Sequence, residues 1–278
     1  MTYIELTCDI FPPRNIEIVM AALSDFGFES FVERDNGFEA YIPEKDFNES
    51  FFSMLDIFKN AEIHINYSIK VIPDQNWNAL WESNFEAVEI DKLLYIRAPF
   101  HPAKEGFLHE IIIEPKMSFG TGHHETTHLM AKLLLEHTIN DLSLLDMGCG
   151  TAILAILAHK MGAKPILAID NDEWAYNNSL ENIKKNDADA IKVLLGDASL
   201  LTNQAFDIIL ANINRNILLN DIPKYASVLK TKGLLLLSGF YESDLPAIKQ
   251  KAAQFELHFE RYLVRNEWCA CLLMKNEK

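Results

Sequence analysis

Cysteine is scarce in this chain: four residues in 278, at positions 8, 149, 269 and 271. No pair is matched by a second pair at ligand spacing, so neither a disulfide framework nor a cysteine-held zinc cluster is expected. Cys269 and Cys271 stand two apart on an expected strand, share a face and read as packing residues. Long apolar runs are also missing. No stretch approaches the ~18 uncharged apolar residues of a membrane span, and the first residues lack a basic segment followed by an apolar one. The expectation is a cytoplasmic protein with no membrane partner. Positive charge is in deficit, with 25 Lys and Arg against 40 Asp and Glu. The deficit lies at the front: residues 1–90 hold 17 acidic side chains against 5 basic, and the remainder 23 against 20. Such a surface repels nucleic-acid phosphate and attracts a basic protein. Direct nucleic-acid binding is not expected; charge alone leaves open whether the acid serves a partner or solubility.

What is present is a folded composition, 49% apolar and 23% charged, in a chain long enough for one ordinary core and a smaller second one. The organising stretch is Leu144 to Thr151, two leucines running into Asp146, then Met147, Gly148, Cys149, Gly150 and Thr151. It reads as the end of a buried parallel strand whose chain doubles back into a helix. Glycines there either keep a side chain out of a cofactor's way or permit backbone conformations that other residues resist. A helical run follows at Ile153–Lys160, then a strand from Pro165 to Ile169, with Asp170 at its end. An acidic residue at that distance is where an α/β cofactor fold holds ribose hydroxyls. The third glycine of the dinucleotide fingerprint is absent, since Ile153 stands in its place. A nucleoside cofactor such as S-adenosylmethionine therefore fits better than NAD.

Ahead of this stretch, residues 1–72 predict strand, helix, two strands joined through Asp35, Asn36 and Gly37, a helix over Phe47–Phe58 and a last strand over Ile63–Val71. That order is ferredoxin-like, and such domains more often bind than catalyse. Residues 73–87 predict a helical connector in which Trp77, Leu80, Trp81 and Phe85 form one apolar stripe, capped by Asp74. Residues 88–278 form the larger domain. It opens with short strands at Leu93–Arg97 and Leu108–Ile113, then a glycine- and threonine-rich loop through Phe119, Gly120 and Thr121. A helix from about Thr126 to His137 follows, its start offering a threonine hydroxyl to a ligand held under the loop. His124 to His128 match the bare His-Glu-x-x-His pattern, but the match begins before the expected helix start and has no further ligand, so no metal is expected. Beyond Asp170, α/β alternation continues. Strands end at Asp197 and Asn212, a helix over Asn216–Leu229 is expected to break or restart at Pro223, and the chain closes with a hairpin around Arg265, Asn266 and Glu267. Seven strands counted from Leu144 predict a doubly wound α/β sheet. Its ligand belongs at the carboxyl ends of the strands, where Asp146, Asp170, Asp197 and Asn212 coincide.

At these residues the sequence resembles the S-adenosylmethionine-dependent methyltransferases. More narrowly it is similar to the bacterial family that methylates ribosomal protein L11, known as PrmA. The resemblance is carried by Phe119 to Thr127, Asp146 to Thr151, Ile169 with Asp170, Asn212 with Ile213, the Trp77 and Trp81 connector and the acidic front domain, so it spans nearly the whole chain. Two positions depart from it: Glu125 stands where the family usually has proline, and Ala152 where it commonly has glycine. The resemblance implies a Rossmann-like seven-stranded fold and transfer of methyl groups from S-adenosylmethionine to the α-amino and lysine ε-amino groups of L11, by an enzyme expected to be a monomer. It implies cofactor contacts at Thr127, Gly148, Asp170 and Asn212. Gly150 would lie against the methionine part, Asp146 near its amino group, Asp197 near the adenine, and Phe119, Gly120 and Thr121 in the covering loop. Asn212 and the Ile213 carbonyl would receive the hydrogens of the reacting amine. Each carboxylate has the alternative of capping a strand end. Asn212-Ile213-Asn214-Arg215 differs from the Asn-Pro-Pro-Tyr of many base-amino methyltransferases, and the acidic surface also speaks against a nucleic-acid substrate. A module that only binds cofactor is the other alternative.

Overall fold

The computed structural model describes residues 2–59, 62–73, 85–116 and 118–277. The chain divides into two compact units, Met1–Phe85 and Glu86–Lys278. The expected connector helix, with Asp74, Trp77, Leu80 and Trp81, lies outside the described residues.

In the first unit, strand β1 (Tyr3–Phe11), helix α1 (Ile16–Ser24), β2 (Ser30–Arg34), β3 (Gly37–Pro43), a one-turn helix α2 (Phe51–Met54) and β4 (His64–Ile72) follow in order. The sheet order is β2-β3-β1-β4, with every neighbouring pair antiparallel. Alternate residues Ile4, Leu6, Cys8 and Ile10 of β1 are buried, as period two demands, against Val19 and Leu23, one turn apart on α1. The helix expected over residues 47–58 is not formed beyond α2, which is flanked by 3-10 turns at Glu44–Asp46 and Asp56–Lys59. The aromatic residues explain this. Phe47, Phe52 and Phe58 are five and six apart, a spacing that no single helix face holds, yet Phe52 packs edge-on to both of the others and stacks on Tyr67 at 4.1 Å. The Asn48 side chain also accepts from Ser50 N at 2.9 Å, a local bond that competes with helix.

The second unit begins with a three-stranded sheet of β5 (Val88–Ile90), β6 (Leu94–Arg97) and β7 (His109–Ile112), β5 antiparallel and β7 parallel to β6. β5 was not expected, because three residues are too few to display an alternation. Then come α3 (Glu125–Leu135), β8 (Leu144–Met147), α4 (Ile153–Lys160), β9 (Ile166–Asp170), α5 (Glu173–Lys185), β10 (Ile191–Leu195), β11 (Phe206–Asn212), α6 (Arg215–Val228), β12 (Leu229–Tyr241), α7 (Leu245–Ala253), β13 (Leu257–Arg265) and β14 (Trp268–Lys275). The seven-stranded order is β10-β9-β8-β11-β12-β14-β13, parallel except for β14, which runs antiparallel to both its neighbours. One apolar core gathers α3, α4 and the small sheet on one face, and a second gathers α6 and α7 on the other. The sheet is therefore doubly wound, as expected. Pro223 does not break α6. Leu218, Ile222 and Tyr225, spaced as one helical stripe, are fully buried on both sides of it, and that packing carries the helix across the lost hydrogen bond. The strand order reverses between β8 and β11, so the crevice for a ligand opens where these two strands end.

Candidate active site

A cleft of about 440 Å³ lies at that reversal, and Gly148, Gly150, Asp170, Asn212 and Ile213 line it. Gly148 and Gly150 have φ of 70° and 56°, in the left-handed region. A Cβ on Gly148 would stand 2.2 Å from the Ile213 side chain, and one on Gly150 2.3 Å from the Phe119 carbonyl oxygen. The need for glycine is thus met within the chain itself, and its result is a floor of bare backbone. Ala152 also sits at positive φ, 63°, a conformation that costs a residue with a side chain about 1 kcal/mol.

Asp170 closes β9 at the edge of this floor. Its two oxygens accept from Gly150 N at 2.8 Å and Asp172 N at 3.0 Å, which fills two of about four acceptor positions of a carboxylate and leaves the rest for ligand hydroxyls. Asn212 ends β11. Its Nδ2 donates to Thr127 Oγ1 at 3.5 Å, and its Oδ1 is buried with no partner in the protein. A buried acceptor without a donor is costly, so this atom marks a place where a ligand N–H or O–H fits. Ile213 follows with its carbonyl against Gly239, whose own Cβ would lie 2.1 Å from that oxygen.

Other expected site residues are placed differently. Thr127 is buried behind Asn212, and its neighbour Thr126 reaches the cleft. Asp146 is 1% exposed and absent from the cleft wall; its Oδ2 accepts from Ala155 N in the first turn of α4 at 3.0 Å. Burial pushes its carboxyl up to about 7, the Ala155 bond opposes this, and the charge of Asp170 adds to it. Asp197 lines a neighbouring polar hollow that shares Asn171 and Ile217 with the cleft. Its bonds with Ser199 hold its carboxyl below the usual carboxylate range. Phe119 lines the cleft, whereas Gly120 and Thr121 line a separate depression on the outer side of the loop. The loop is strapped to the glycine turn, since Thr151 N donates to Phe119 O at 2.9 Å and Thr151 Oγ1 to Gly120 O at 2.5 Å.

His124 caps α3, with Nδ1 accepting from Thr126 N at 3.2 Å, and its ring sits edge-on to Phe119 and Trp268. Glu125 accepts from Asn266 at 2.9 Å, which ties the start of α3 to the turn of the last hairpin. That bond holds the Glu125 carboxyl below its ordinary value. Asn171, Asp172, Trp174 and Trp268 also line the cleft and were not singled out from the sequence. The first two directly follow Asp170 and could have been found by adjacency. Trp268 carries no local signal.

The model of the ribosomal protein L11 methyltransferase (PrmA) family matches residues 21–276. The chain belongs to this family. It is 44% identical over 275 residues to a ribosomal protein L11 methyltransferase of Phocaeicola vulgatus, covering 97% of this chain and 98% of that one. With the Porphyromonas gingivalis protein of the same name the identity is 46% over 257 residues, covering 91% and 89%. Among solved structures, a ribosomal protein L11 methylase from Lactobacillus delbrueckii superposes with a TM-score of 0.63 at 28% identity, over 69% of this chain and all of the other. A Pyrococcus furiosus methyltransferase shares the fold at a TM-score of 0.51 and 17% identity, over 60% of this chain and 90% of the other.

Proposed function

We propose that this member of the PrmA family transfers methyl groups from S-adenosylmethionine to the α-amino group and lysine ε-amino groups of ribosomal protein L11, as a cytoplasmic monomer. The observation that carries the chemistry is the unpartnered Asn212 Oδ1 beside a bare glycine floor at the crossover of the sheet. When bound, S-adenosylmethionine supplies a methyl group on a sulfonium, a leaving group that is already activated. Asp170 fits its ribose hydroxyls, Gly148 and Gly150 its methionine part, and Phe119 covers it. Asn212 Oδ1 and the Ile213 carbonyl accept the hydrogens of the incoming amine and turn its lone pair towards the methyl carbon. As the nitrogen–carbon bond forms, the carbon–sulfur bond breaks with its electrons passing to sulfur, and the methylated nitrogen afterwards gives up a proton. Alignment does most of the work here. The amine must be uncharged, which is easier for an α-amino group near pKa 8 than for a lysine near 10, and loss of water from around the ammonium lowers either value. The acidic first 90 residues suit a basic ribosomal protein. Incubation with labelled S-adenosylmethionine and a ribosomal extract is expected to label L11. Label on another polypeptide or on RNA, with none on L11, overturns the reading.

A further inference from the structure

Four rings run side by side from the covering loop to the last hairpin. Phe119 lies 5.1 Å from His124, His124 lies 4.8 Å from Trp268, and Trp268 lies 4.3 Å from Tyr241. The first three line the main cleft together with Asn212. Trp268 has a second neighbourhood, because with Tyr241, Asn214, Arg215 and Asp244 it also lines a separate depression of about 300 Å³. Asn214, Gly239 and Trp268 belong to both hollows, so the two adjoin along the Trp268 ring. Tyr241, 47% exposed, forms the outer part of the depression. Beyond it, Glu242 and Glu267 line the next hollow along the surface. Arg215 is the only cation among the described residues lining these outer hollows, and its guanidinium is already paired with Asp244 at 2.8 Å.

From this arrangement we infer that the Trp268–Tyr241 depression is the entry groove for an unbranched alkylammonium side chain, the lysine of the protein substrate, and that Trp268 passes its nitrogen to Asn212. The inference rests on the methyltransferase reading above and names the part of the site that takes the acceptor. Two features set the ligand class. An apolar stem packs along ring surfaces while its cationic end is drawn both to π-faces and to the carboxylates at the outer rim. A methylated ammonium keeps its charge and gains apolar surface, so the same rings hold the product of one transfer for the next. An anion would meet Asp244, Glu242 and Glu267, and a neutral small molecule would leave them unused.

Tyr241→Leu, Trp268→Leu and Trp268→Phe, made in the full chain, test the groove with purified L11 and S-adenosylmethionine. Tyr241 lines the depression and not the main cleft, so its variant separates acceptor binding from cofactor binding. Tyr241→Leu is expected to raise the KM for L11 about tenfold, with kcat and the calorimetric Kd for S-adenosylmethionine near wild type. Mass spectrometry should show lysines stopping at fewer methyl groups. Trp268→Leu should show the same shift more strongly, and Trp268→Phe, which keeps a ring face, should recover most of it. A merely structural role would lower melting temperature without moving the methyl count. If wild-type enzyme labels L11 and both leucine variants match it in KM and methyl count, the groove is wrong and the methyltransferase reading stands. If wild-type enzyme leaves L11 unlabelled, both fall.

Discussion

Asn212 presents an acceptor that nothing in the protein satisfies, held by a side chain whose other end is anchored on Thr127. Removing it takes away a preorganised group at the reacting nitrogen, a change worth about a hundredfold in turnover. Asn212→Ala is therefore expected to lower kcat for L11 by about that factor with its melting temperature near wild type; a kcat within threefold of wild type would remove Asn212 from the reaction. Asp146 makes a different kind of prediction. Its carboxyl is raised by burial to about 7, so the folded state favours the protonated form. The stability this contributes is complete below the ordinary Asp value and is lost as pH rises through about 7, a change on the order of 4 kcal/mol. Asp146→Asn keeps an acceptor for Ala155 N and does not ionise. Its melting temperature relative to wild type should rise between pH 5 and pH 8, and parallel curves for the two proteins would show that Asp146 does not titrate in that window. The two threonines show where sequence reading ends at this scale. One residue of helix turns a side chain by 100°, so a start at Glu125 or at Thr126 decides which of Thr126 and Thr127 meets the cleft, and nothing local sets that phase.

Among the elements, the α/β alternation from Leu144 onward was legible because buried parallel strands are short apolar runs punctuated by glycine or an acidic residue. The ends of α4, α5 and β10 fall where the sequence predicts them. What was not legible depends on partners distant in sequence. The ring cluster of Phe52 with Tyr67 shortens the helix expected over residues 47–58, and Trp268 reaches the cleft only because β14 pairs between β12 and β13. The Phe119–Gly120–Thr121 loop is a similar case. Its composition pointed to a cover, yet its attachment is one side chain, Thr151, bonded to the Gly120 carbonyl. Thr151→Val leaves that buried carbonyl without its donor, at a cost of about 1–3 kcal/mol. Hydrogen exchange at residues 118–122 should accelerate and the Kd for S-adenosylmethionine should rise, while Thr151→Ser restores both. Unchanged protection in the valine variant would show that the backbone bond from Thr151 N to Phe119 O holds the loop alone.

At the scale of the whole molecule, the excess acid is confined to the front of the chain, and many of its carboxylates, Glu17, Asp25 and Glu33 among them, are exposed. Isolated surface charges contribute little to stability, so their neutralisation should leave the fold intact. Their summed field acts instead on encounter with a charged partner and is screened over about 10 Å at 0.1 M salt. S-adenosylmethionine is a small ligand that meets the cleft of the second unit, whereas a basic protein meets the field of the entire surface. Raising salt from about 0.05 to 0.5 M, across which the screening length falls severalfold, should therefore raise the KM for L11 steeply and the KM for S-adenosylmethionine little. In the triple variant Glu17→Gln, Asp25→Asn, Glu33→Gln, the L11 KM should start higher at low salt and depend on salt less, converging on wild type at 0.5 M. If wild type and variant respond to salt identically, the acid of the front unit serves solubility, and recognition of the basic substrate belongs to the second unit alone.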